Sequence, residues 1–337
     1  MAHFFLRTGS AGRRAAFFAA AASGSAVLLG AGGMTFETLC KEEQQNKHKI
    51  LIVGGGSGGL AAAAQLKIKG EKDIAVIEPS SVHYYQPLWT LVGGGIFPGT
   101  KSRRTEKEVM PKGVHWIQNN FNWDQIKGLP ETIDSLERLA QARGIERLFG
   151  SVLVEVDGKN KGATFKRTDG STFCVPFDIL HVVPPMSSPD FIAKSPLADK
   201  QGYVEVNKDT CQHVRYPNVF SLGDCSSLPT SKTIAAITSE APVLVHNLTK
   251  VMKGEKPTAV YDGYTSCPLV TGYSSLLLAE FKYGGELAET FGAILDHAEP
   301  RWGFMQLKKW VFPAAYWELF LRGRWFGARG IIPPSFD

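Results

Sequence analysis

Cys267 is a residue whose surroundings suggest chemistry, because it lies in YDGYTSCPLVTGY between an aromatic turn and a short apolar run. A thiol that shuttles electrons ordinarily works with a second thiol. The chain has five cysteines, and none forms a CxxC pair or a Cys/His spacing that suits zinc. The others are Cys40, Cys174, Cys211 and Cys225. We expect neither a disulfide framework nor a metal site, so the partner of Cys267 has to be sought through the fold.

A dinucleotide-binding turn is the strongest signal in the chain. In HKILIVGGGSGGLAAAAQLKIKGEKDIAVIEP, an apolar run predicts a buried parallel strand, and the Ala-rich stretch after the glycines predicts a helix. Gly54 permits the tight turn, Gly56 allows the backbone to approach a pyrophosphate, and Gly59 allows the helix to pack closely on the strand. Ser57 and Gly58 complete the loop, whose helix N-terminus presents N–H groups to phosphates. The alternative is a glycine-rich turn without a ligand.

Glu78 ends the next predicted strand, 19 residues after the last glycine of the motif. Its carboxylate can accept hydrogen bonds from ribose hydroxyls and would repel a 2′-phosphate. These features do not decide between FAD and NAD.

A second segment, YPNVFSLGDCSSLPTSKT, predicts a short strand that ends at Gly223 and Asp224, followed by a loop and a helix. It resembles the second flavin-binding motif of flavoproteins with two dinucleotide-binding domains. In that family the acid bonds a ribityl hydroxyl, and the next helix points its N-terminus at the flavin ring. Taken alone, Asp224 could equally be a helix-capping acid.

Six segments together resemble eukaryotic mitochondrial sulfide:quinone oxidoreductase: VGGGSGG, EPSSVHYYQPLWTLVGGG, GVHWI, HVVPPMSSPD, RYPNVFSLGDCSSLPTSKT and YDGYTSCPLVTGY. The resemblance runs from about Lys49 to the C-terminus, whereas the more distant type II NADH dehydrogenase lacks SCPLVTGY. It implies a membrane-associated FAD enzyme in which sulfide attacks a cysteine disulfide or trisulfide. Sulfur then passes to a small acceptor such as glutathione or another thiol or sulfite, and electrons reach ubiquinone through FAD.

The resemblance also implies roles for single residues. Cys267 matches the C-terminal one of the family's two redox cysteines, with a buried structural thiol as the alternative. Gln86, in HYYQPLW, matches a glutamine at the FAD. Lys232, in PTSKT, matches a lysine near the isoalloxazine, where a cation would favour anionic reduced flavin. The alternative for Lys232 is a solvated lysine.

The region between the two flavin motifs departs from the family. The family's first redox cysteine lies in a segment resembling P-x-K-C-A-G-A-P, and no such segment exists here. Only 106 residues separate Ile117 from Asp224, too few for a complete second dinucleotide-binding domain. Residues 134–144 predict a helix, and SVLVEVDGKNKGATFKRTDGSTF predicts a three-stranded meander. We expect an internal deletion that removes the partner of Cys267, which only proximity could replace with Cys174, Cys211 or Cys225.

The N-terminal segment carries a signal of location. Its first 36 residues contain three arginines, no acid and much Ala and Ser, which resembles a mitochondrial transit peptide. A membrane span over residues 15–36 and a secretory signal are the alternatives. The net charge of +5 belongs to the two ends of the chain, which argues against nucleic acid as a partner.

The C-terminal segment combines aromatic and basic residues. Four of its tryptophans recur at a spacing that puts them near one face of a helix, beside Lys and Arg: Trp302, Trp310, Trp317 and Trp325. Pro313 is predicted to break this helix into two pieces. The pattern predicts an interfacial amphipathic segment, with ordinary core as the alternative. The resembled family uses this end to sit on the mitochondrial inner membrane and to admit quinone.

We therefore predict an α/β fold: a Rossmann-like FAD-binding domain with a truncated second dinucleotide-binding domain and C-terminal amphipathic helices. The expected order is a transit or N-terminal segment (1–46), the first part of the FAD-binding domain (47–130), a truncated middle domain with the meander (131–200), the second part of the FAD-binding domain (201–260) and a redox-cysteine and membrane-binding region (261–337). The implied function is FAD-dependent sulfide:quinone oxidoreduction. The alternative is a catalytically impaired relative that only binds FAD and membrane.

Overall fold

The computed structural model describes residues 2–6, 48–117, 138, 141–143, 145, 148, 150–182 and 187–336, with the backbone alone for 2–6. The strands are β1 (Ala2–Leu6), β2 (Ile50–Val53), β3 (Ile74–Ile77), β4 (Val82–Tyr84), β5 (Arg103–Thr105), β6 (His115–Ile117), β7 (Ser151–Asp157), β8 (Gly162–Arg167), β9 (Thr172–Pro176), β10 (Val219–Leu222), β11 (Thr265–Val270) and β12 (Leu276–Phe281). The α-helices are α1 (Ser57–Ile68), α2 (Trp89–Gly93), α3 (Glu106–Val109), α4 (Asp190–Ala193), α5 (Ile234–Met252), α6 (Trp302–Gln306) and α7 (Phe312–Ala315).

A five-stranded sheet in the order β10-β1-β2-β3-β6 forms the centre of the fold. β2, β3 and β6 run parallel. β1 runs antiparallel to both of its neighbours, so β10 points the same way as β2. Ile50 and Ile52 are fully buried, as the apolar run of β2 predicts for a parallel strand. The glycine turn after β2 and Gly223 after β10 therefore lie at the same edge of the sheet.

The N-terminal segment contributes a strand to this sheet, although its composition led us to set it aside from the fold. β1 lies between the two strands that carry the turns, with His3 opposite both Val53 and Ser221. Its role in targeting stays a prediction. The alternative of a membrane span over 15–36 lies outside the described residues.

α1 and α5 pack against each other and against the sheet. α1 is apolar on all sides, and Leu60, Ala61 and Leu66 have no exposed surface, as expected for a helix covered by a sheet and a second helix. A Cβ at Gly58 would lie only 2.4 Å from Leu222 Cδ1. Gly58 therefore allows a close approach of the helix to β10, and the close packing that the motif assigns to Gly59 stays a prediction.

The middle of the chain forms a separate three-stranded antiparallel sheet in the order β7-β8-β9. This arrangement confirms the predicted meander. The helix predicted for 134–144 lies largely outside the described residues. Two further antiparallel strand pairs, β4–β5 and β11–β12, lie outside the main sheet. The second pair places Cys267 opposite Ala279.

The C-terminal helical run is continuous from Trp302 to Phe320, so the predicted break at Pro313 is wrong. Two π-helical turns, Leu307–Val311 and Tyr316–Phe320, flank α7, and the wider hydrogen-bond pattern of the first accommodates the proline that follows it. In the described residues, no helix has the length and apolar character that a membrane span requires.

The tryptophans of this run do not share one face, which corrects the prediction from their spacing. Trp302 and Trp310 are 67% and 56% exposed, whereas Trp317 is 7% exposed. Trp325 lies beyond the helical run and lines the cavity described below. The reason is that π turns change the number of residues per turn, so a spacing counted on a regular α-helix loses its phase.

Candidate cofactor cavity

One cavity of about 800 Å³ extends from the glycine turn to the cysteine strand β11. Of the eleven residues that the sequence predicts to be catalytic or cofactor-binding, seven line it: Gly56, Ser57, Glu78, Gln86, Asp224, Lys232 and Cys267. The remaining four, Gly54, Gly58, Gly59 and Gly223, are not in its lining. A single cleft thus connects the two turns, as the binding of one extended dinucleotide requires.

The first turn has the backbone geometry of an anion site. Gly54 has a φ of +105°, which glycine adopts without strain, and its N–H donates to Ile77 O at 2.8 Å. Gly56 is the N-cap of α1 and no side chain caps this helix end, so the first N–H groups stay available to an anion. A Cβ on Gly55 would lie 2.6 Å from Glu106 Oε1. The turn therefore has to be glycine where two acidic side chains approach it.

Glu78 is fixed at the edge of the cavity by backbone groups. Its Oε2 accepts the N–H of Gly55 at 2.7 Å, and its Oε1 accepts the N–H of Ser80 at 2.8 Å. The indole of Trp116 donates to the carbonyl of Glu78 at 2.9 Å. Each carboxylate oxygen retains a further lone pair, so the side chain is held in position to accept hydroxyl groups.

Three charged residues lie together at the second turn: Glu240 is buried, and Asp224 and Lys232 are partly buried. Glu240 accepts the N–H of Gly223 at 2.7 Å, and burial raises its pKa to about 7. Burial also raises the pKa of Asp224 and lowers the pKa of Lys232. Lys232 Nζ donates to the carbonyls of Ser226 and Leu228 at 2.6 and 3.1 Å, so it is not a solvated lysine.

Cys267 reaches the opposite end of the cavity from β11. Burial raises the pKa of its thiol, while the nearby Ser231 and the charge of Lys308 oppose that rise. Burial lowers the pKa of Lys308 to about 8. The thiol is therefore mainly protonated near neutral pH, unlike the pre-ionised cysteines of many redox sites.

None of the other described cysteines lines the cavity. Cys174 is exposed on β9, whereas Cys211 and Cys225 are completely buried, and no disulfide joins any of the four described cysteines. Cys40 lies outside the described residues. Proximity therefore gives Cys267 no replacement partner among the described residues.

Two buried polar groups on the cavity wall escaped the sequence analysis. In one, Glu106 lies 3.4 Å from His83. Glu106 directly follows Thr105, which forms a capping box with Glu108, so the local pattern indicated only a helix start. In the other, Glu280 accepts the hydroxyl of Tyr264 at 2.6 Å. No spacing in the sequence could have found either group, because their members come from separate elements.

Comparison with known proteins identifies relatives over most of the chain. It is 36% identical over 389 aligned residues to "Sulfide:quinone oxidoreductase, mitochondrial" of Dictyostelium discoideum, covering 81% of this chain and 85% of that protein. It is 49% identical over 236 residues to the protein of the same name in Schizosaccharomyces pombe, covering 66% of this chain and 51% of that protein. The first alignment is longer than the 337 residues of this chain, as an internal deletion requires. No family model matches.

The fold is shared with a solved structure. The sulfide:quinone oxidoreductase of the hyperthermophilic bacterium Aquifex aeolicus superimposes with a TM-score of 0.59 at 15% identity, covering 85% of this chain and 92% of that one. This likeness shows the α/β fold with its parallel sheet. On the sequence identity to its relatives, the chain belongs to the mitochondrial sulfide:quinone oxidoreductase family.

Proposed function

We propose that the chain binds FAD in the cavity and oxidises sulfide, with a quinone as the electron acceptor. The family consists of oxidoreductases, and membership supports the reaction class. One observation carries the assignment of the site: the same cavity is lined by the glycine turn, by Asp224 and by Cys267. A cofactor that spans the two turns would therefore end beside the thiol.

The residues of the cavity suit each part of FAD. The uncapped start of α1 suits the pyrophosphate, and the fixed carboxylate of Glu78 suits a ribose. Asp224 can accept ribityl hydroxyls at the second turn, and Lys232 supplies a buried cation for the flavin ring. Gln86, on the cavity wall, offers an amide as a further contact. FAD would supply two-electron redox chemistry to this site.

Cys267 is the residue that would carry sulfane sulfur on its Sγ. The sulfur of sulfide would bond to this thiol, the two electrons released would pass to FAD, and a small thiol or sulfite would then remove the sulfur. Lys308 provides a cation whose charge favours an anionic sulfur at this position, and Ser231 also opposes the rise in the pKa of the thiol. The lowered pKa of Lys308 means that this cation is partly discharged at mildly alkaline pH. We therefore expect the reactivity of Cys267 to depend on both groups.

The C-terminal segment supports contact with a membrane surface and entry of a quinone. Exposed aromatic rings cluster around it, including Trp302, Trp310 and Tyr273, and Lys101 lies 5.6 Å from the ring of Trp310. Aromatic residues mixed with cations suit a membrane interface. On the inner side, the cavity wall is apolar: it includes Leu307, Val311, Phe312 and Phe320. The mitochondrial inner membrane is the surface proposed.

A second candidate function has one observation in its favour. Cys267 is the only described cysteine on the cavity wall, whereas the disulfide chemistry implied for the family needs two. A chain without the second thiol would bind FAD and a membrane surface without turning over sulfide.

A spectroscopic experiment separates the two functions. Purified full-length protein loaded with FAD is mixed anaerobically with sulfide and then with a soluble quinone. Bleaching of the flavin band by sulfide and its return with quinone supports the enzyme. Cys267→Ser should abolish bleaching, and the matched Cys174→Ser on the meander should not. Bound FAD that sulfide never bleaches would leave only the second function.

A further inference from the structure

A buried chain of hydrogen bonds connects the glycine turn to the C-terminal helical run. Ser57 Oγ lies 2.7 Å from Tyr316 Oη, and His83 Nε2 lies 2.5 Å from the same hydroxyl. On the other side of the imidazole, His83 Nδ1 lies 3.4 Å from Glu106 Oε2. His83, Glu106 and Tyr316 are all less than 5% exposed. Four residues from four separate parts of the sequence therefore form one internal network.

The last member of this network has an unused acceptor. Glu106 Oε1 has no hydrogen-bond partner among the described residues, although Glu106 is 1% exposed and lines the cavity. A buried oxygen of this kind destabilises the protein unless a ligand or water pairs with it. Oε1 is aimed at the turn itself, 2.6 Å from the position of a Cβ on Gly55. Glu78 approaches the same position, with its Cβ at 2.7 Å.

The chemistry of this oxygen limits what can pair with it. A carboxylate oxygen accepts hydrogen bonds, so its partner must carry a donor. Pyrophosphate oxygens are acceptors and would be repelled. The ribose of a dinucleotide carries two neighbouring hydroxyl donors, and these lie next to the pyrophosphate in the molecule. Glu78 already marks this side of the turn as the ribose side.

We propose that Glu106 is a second acceptor for the ribose hydroxyls of the bound dinucleotide, beside Glu78, and that Tyr316 couples this contact to the docking of the C-terminal run. The inference rests on the proposed binding of FAD. Burial raises the pKa of Glu106, and the adjacent His83 counteracts part of that rise. Tyr316 holds His83 in place and is itself held by Ser57 of the turn.

The acceptor role is tested with ADP and 2′,3′-dideoxy-ADP, which differ only in the two hydroxyls. Each is titrated calorimetrically into the flavin-free, full-length chain, the Glu106→Gln variant and the Glu108→Gln variant. Glu108 lies on the same helix, is exposed and caps it, so it is a matched control. We expect Glu106→Gln to weaken ADP binding by roughly tenfold or more, the effect of losing a hydrogen bond to a charged group. Dideoxy-ADP should bind equally to all three proteins.

Three results would overturn this role. Equal ADP affinity in both glutamine variants would show that Glu106 makes no contact. An equal loss for ADP and dideoxy-ADP would show a structural role only, and so would tighter binding by Glu106→Gln. Failure of the wild-type chain to bind ADP would remove the ligand altogether. If FAD still binds and is bleached by sulfide in Glu106→Gln with unchanged affinity, the inference fails while the proposed function stands.

The coupling is tested by proteolysis of the full-length chain with and without FAD. Trypsin cleavage after Arg322 and Arg324, which are exposed just beyond the helical run, is followed by mass spectrometry. FAD should slow this cleavage several-fold in the wild type and in Tyr216→Phe, a matched variant at an exposed tyrosine outside the cavity. Tyr316→Phe, which removes the shared hydroxyl, should lose the protection even at saturating FAD. Full protection of Tyr316→Phe would refute the coupling.

Discussion

The central sheet and the meander are both built from apolar strands, but only the sheet is covered. All four residues of β10 are buried, and Phe220 and Leu222 have no exposed surface. In β7, by contrast, Val152, Val154 and Val156 are 67%, 54% and 46% exposed. Valines in a strand ordinarily pack against a second layer. The sheet that carries both turns is therefore covered, whereas in the part of the chain that the structure describes these three valines of the meander are left exposed.

Bulky substitution of a buried glycine should have the largest effect on this contrast. Gly58→Val would place methyl groups against Leu222, which a Cβ at this position already approaches to 2.4 Å. We expect a loss of about 3 kcal/mol or more in the free energy of unfolding, as for severe overpacking. Gly158→Val, in the turn of the meander where a Cβ meets nothing within 4 Å, should change it by less than about 1 kcal/mol. Urea unfolding measures both, and equal losses would contradict the contrast.

The pH dependence of stability should come from Glu240, on the helix α5 that packs against the central sheet. Its pKa is raised from 4.5 to about 7 by burial, so the folded state holds a proton that the unfolded state releases. The contribution of Glu240 to the free energy of unfolding is therefore greatest below about pH 4.5. It decreases by about 3 kcal/mol as the pH rises to about 7. Glu240→Gln should remove most of this fall in urea titrations between pH 5 and 8. If the free energy of unfolding of this variant falls with pH as steeply as that of the wild type, another group causes the pH dependence.

A matched pair of valine substitutions compares the two strands directly. Val219→Thr, at a position 3% exposed in β10, should cost about 1–2 kcal/mol because it buries an unpaired hydroxyl. Val154→Thr in β7 should stay within about 0.5 kcal/mol, as an exposed substitution does. It should also reduce self-association in analytical ultracentrifugation, since it lowers the exposed apolar area. A large loss at Val154 would mean that the meander is covered in solution.

Thiol reactivity should show the smallest difference. Cys174 is exposed on the meander, whereas Cys267 is partly buried with a raised pKa. Iodoacetamide at pH 7.5 should therefore modify Cys174 several-fold faster, as peptide mass spectrometry can follow. Lys308→Met removes a cation that opposes the rise and should slow Cys267 further, with Cys174 as the internal control. Faster modification of Cys267 would show that its thiol is activated despite its burial.

Local patterns were sufficient to predict the parts of the site that one segment builds. The glycine turn, the strand ending at Glu78 and the second turn at Asp224 each combine a strand, a turn and a helix that are adjacent in sequence, so periodicity and turn chemistry determine them. The same reasoning predicted the meander. In each case the physical cause lies within about 30 residues, the length of one supersecondary unit.

The parts that depend on distant contacts were not predictable in this way. Glu106, His83 and Tyr316 meet only in the folded protein, and nothing in their local sequence distinguishes them from surface residues. The prediction that the C-terminal tryptophans share one helix face was wrong, because π turns follow from tertiary packing and not from spacing. The strand at Ala2–Leu6 was missed because composition alone assigned that segment to targeting.

The position of β1 has a consequence for maturation of the protein. Because this strand separates β2 from β10, it can pair with β2 early, but its second edge becomes paired only after residues 219–222 have emerged, and such long-range closure is slow. Proteolytic removal of these residues would leave the facing N–H and C=O groups of β2 and β10 unpaired, next to the glycine turn and the Asp224 turn. Cleavage of a leader beyond Leu6 would therefore remove β1 from this sheet. N-terminal sequencing of the mitochondrial protein would show whether the strand is retained.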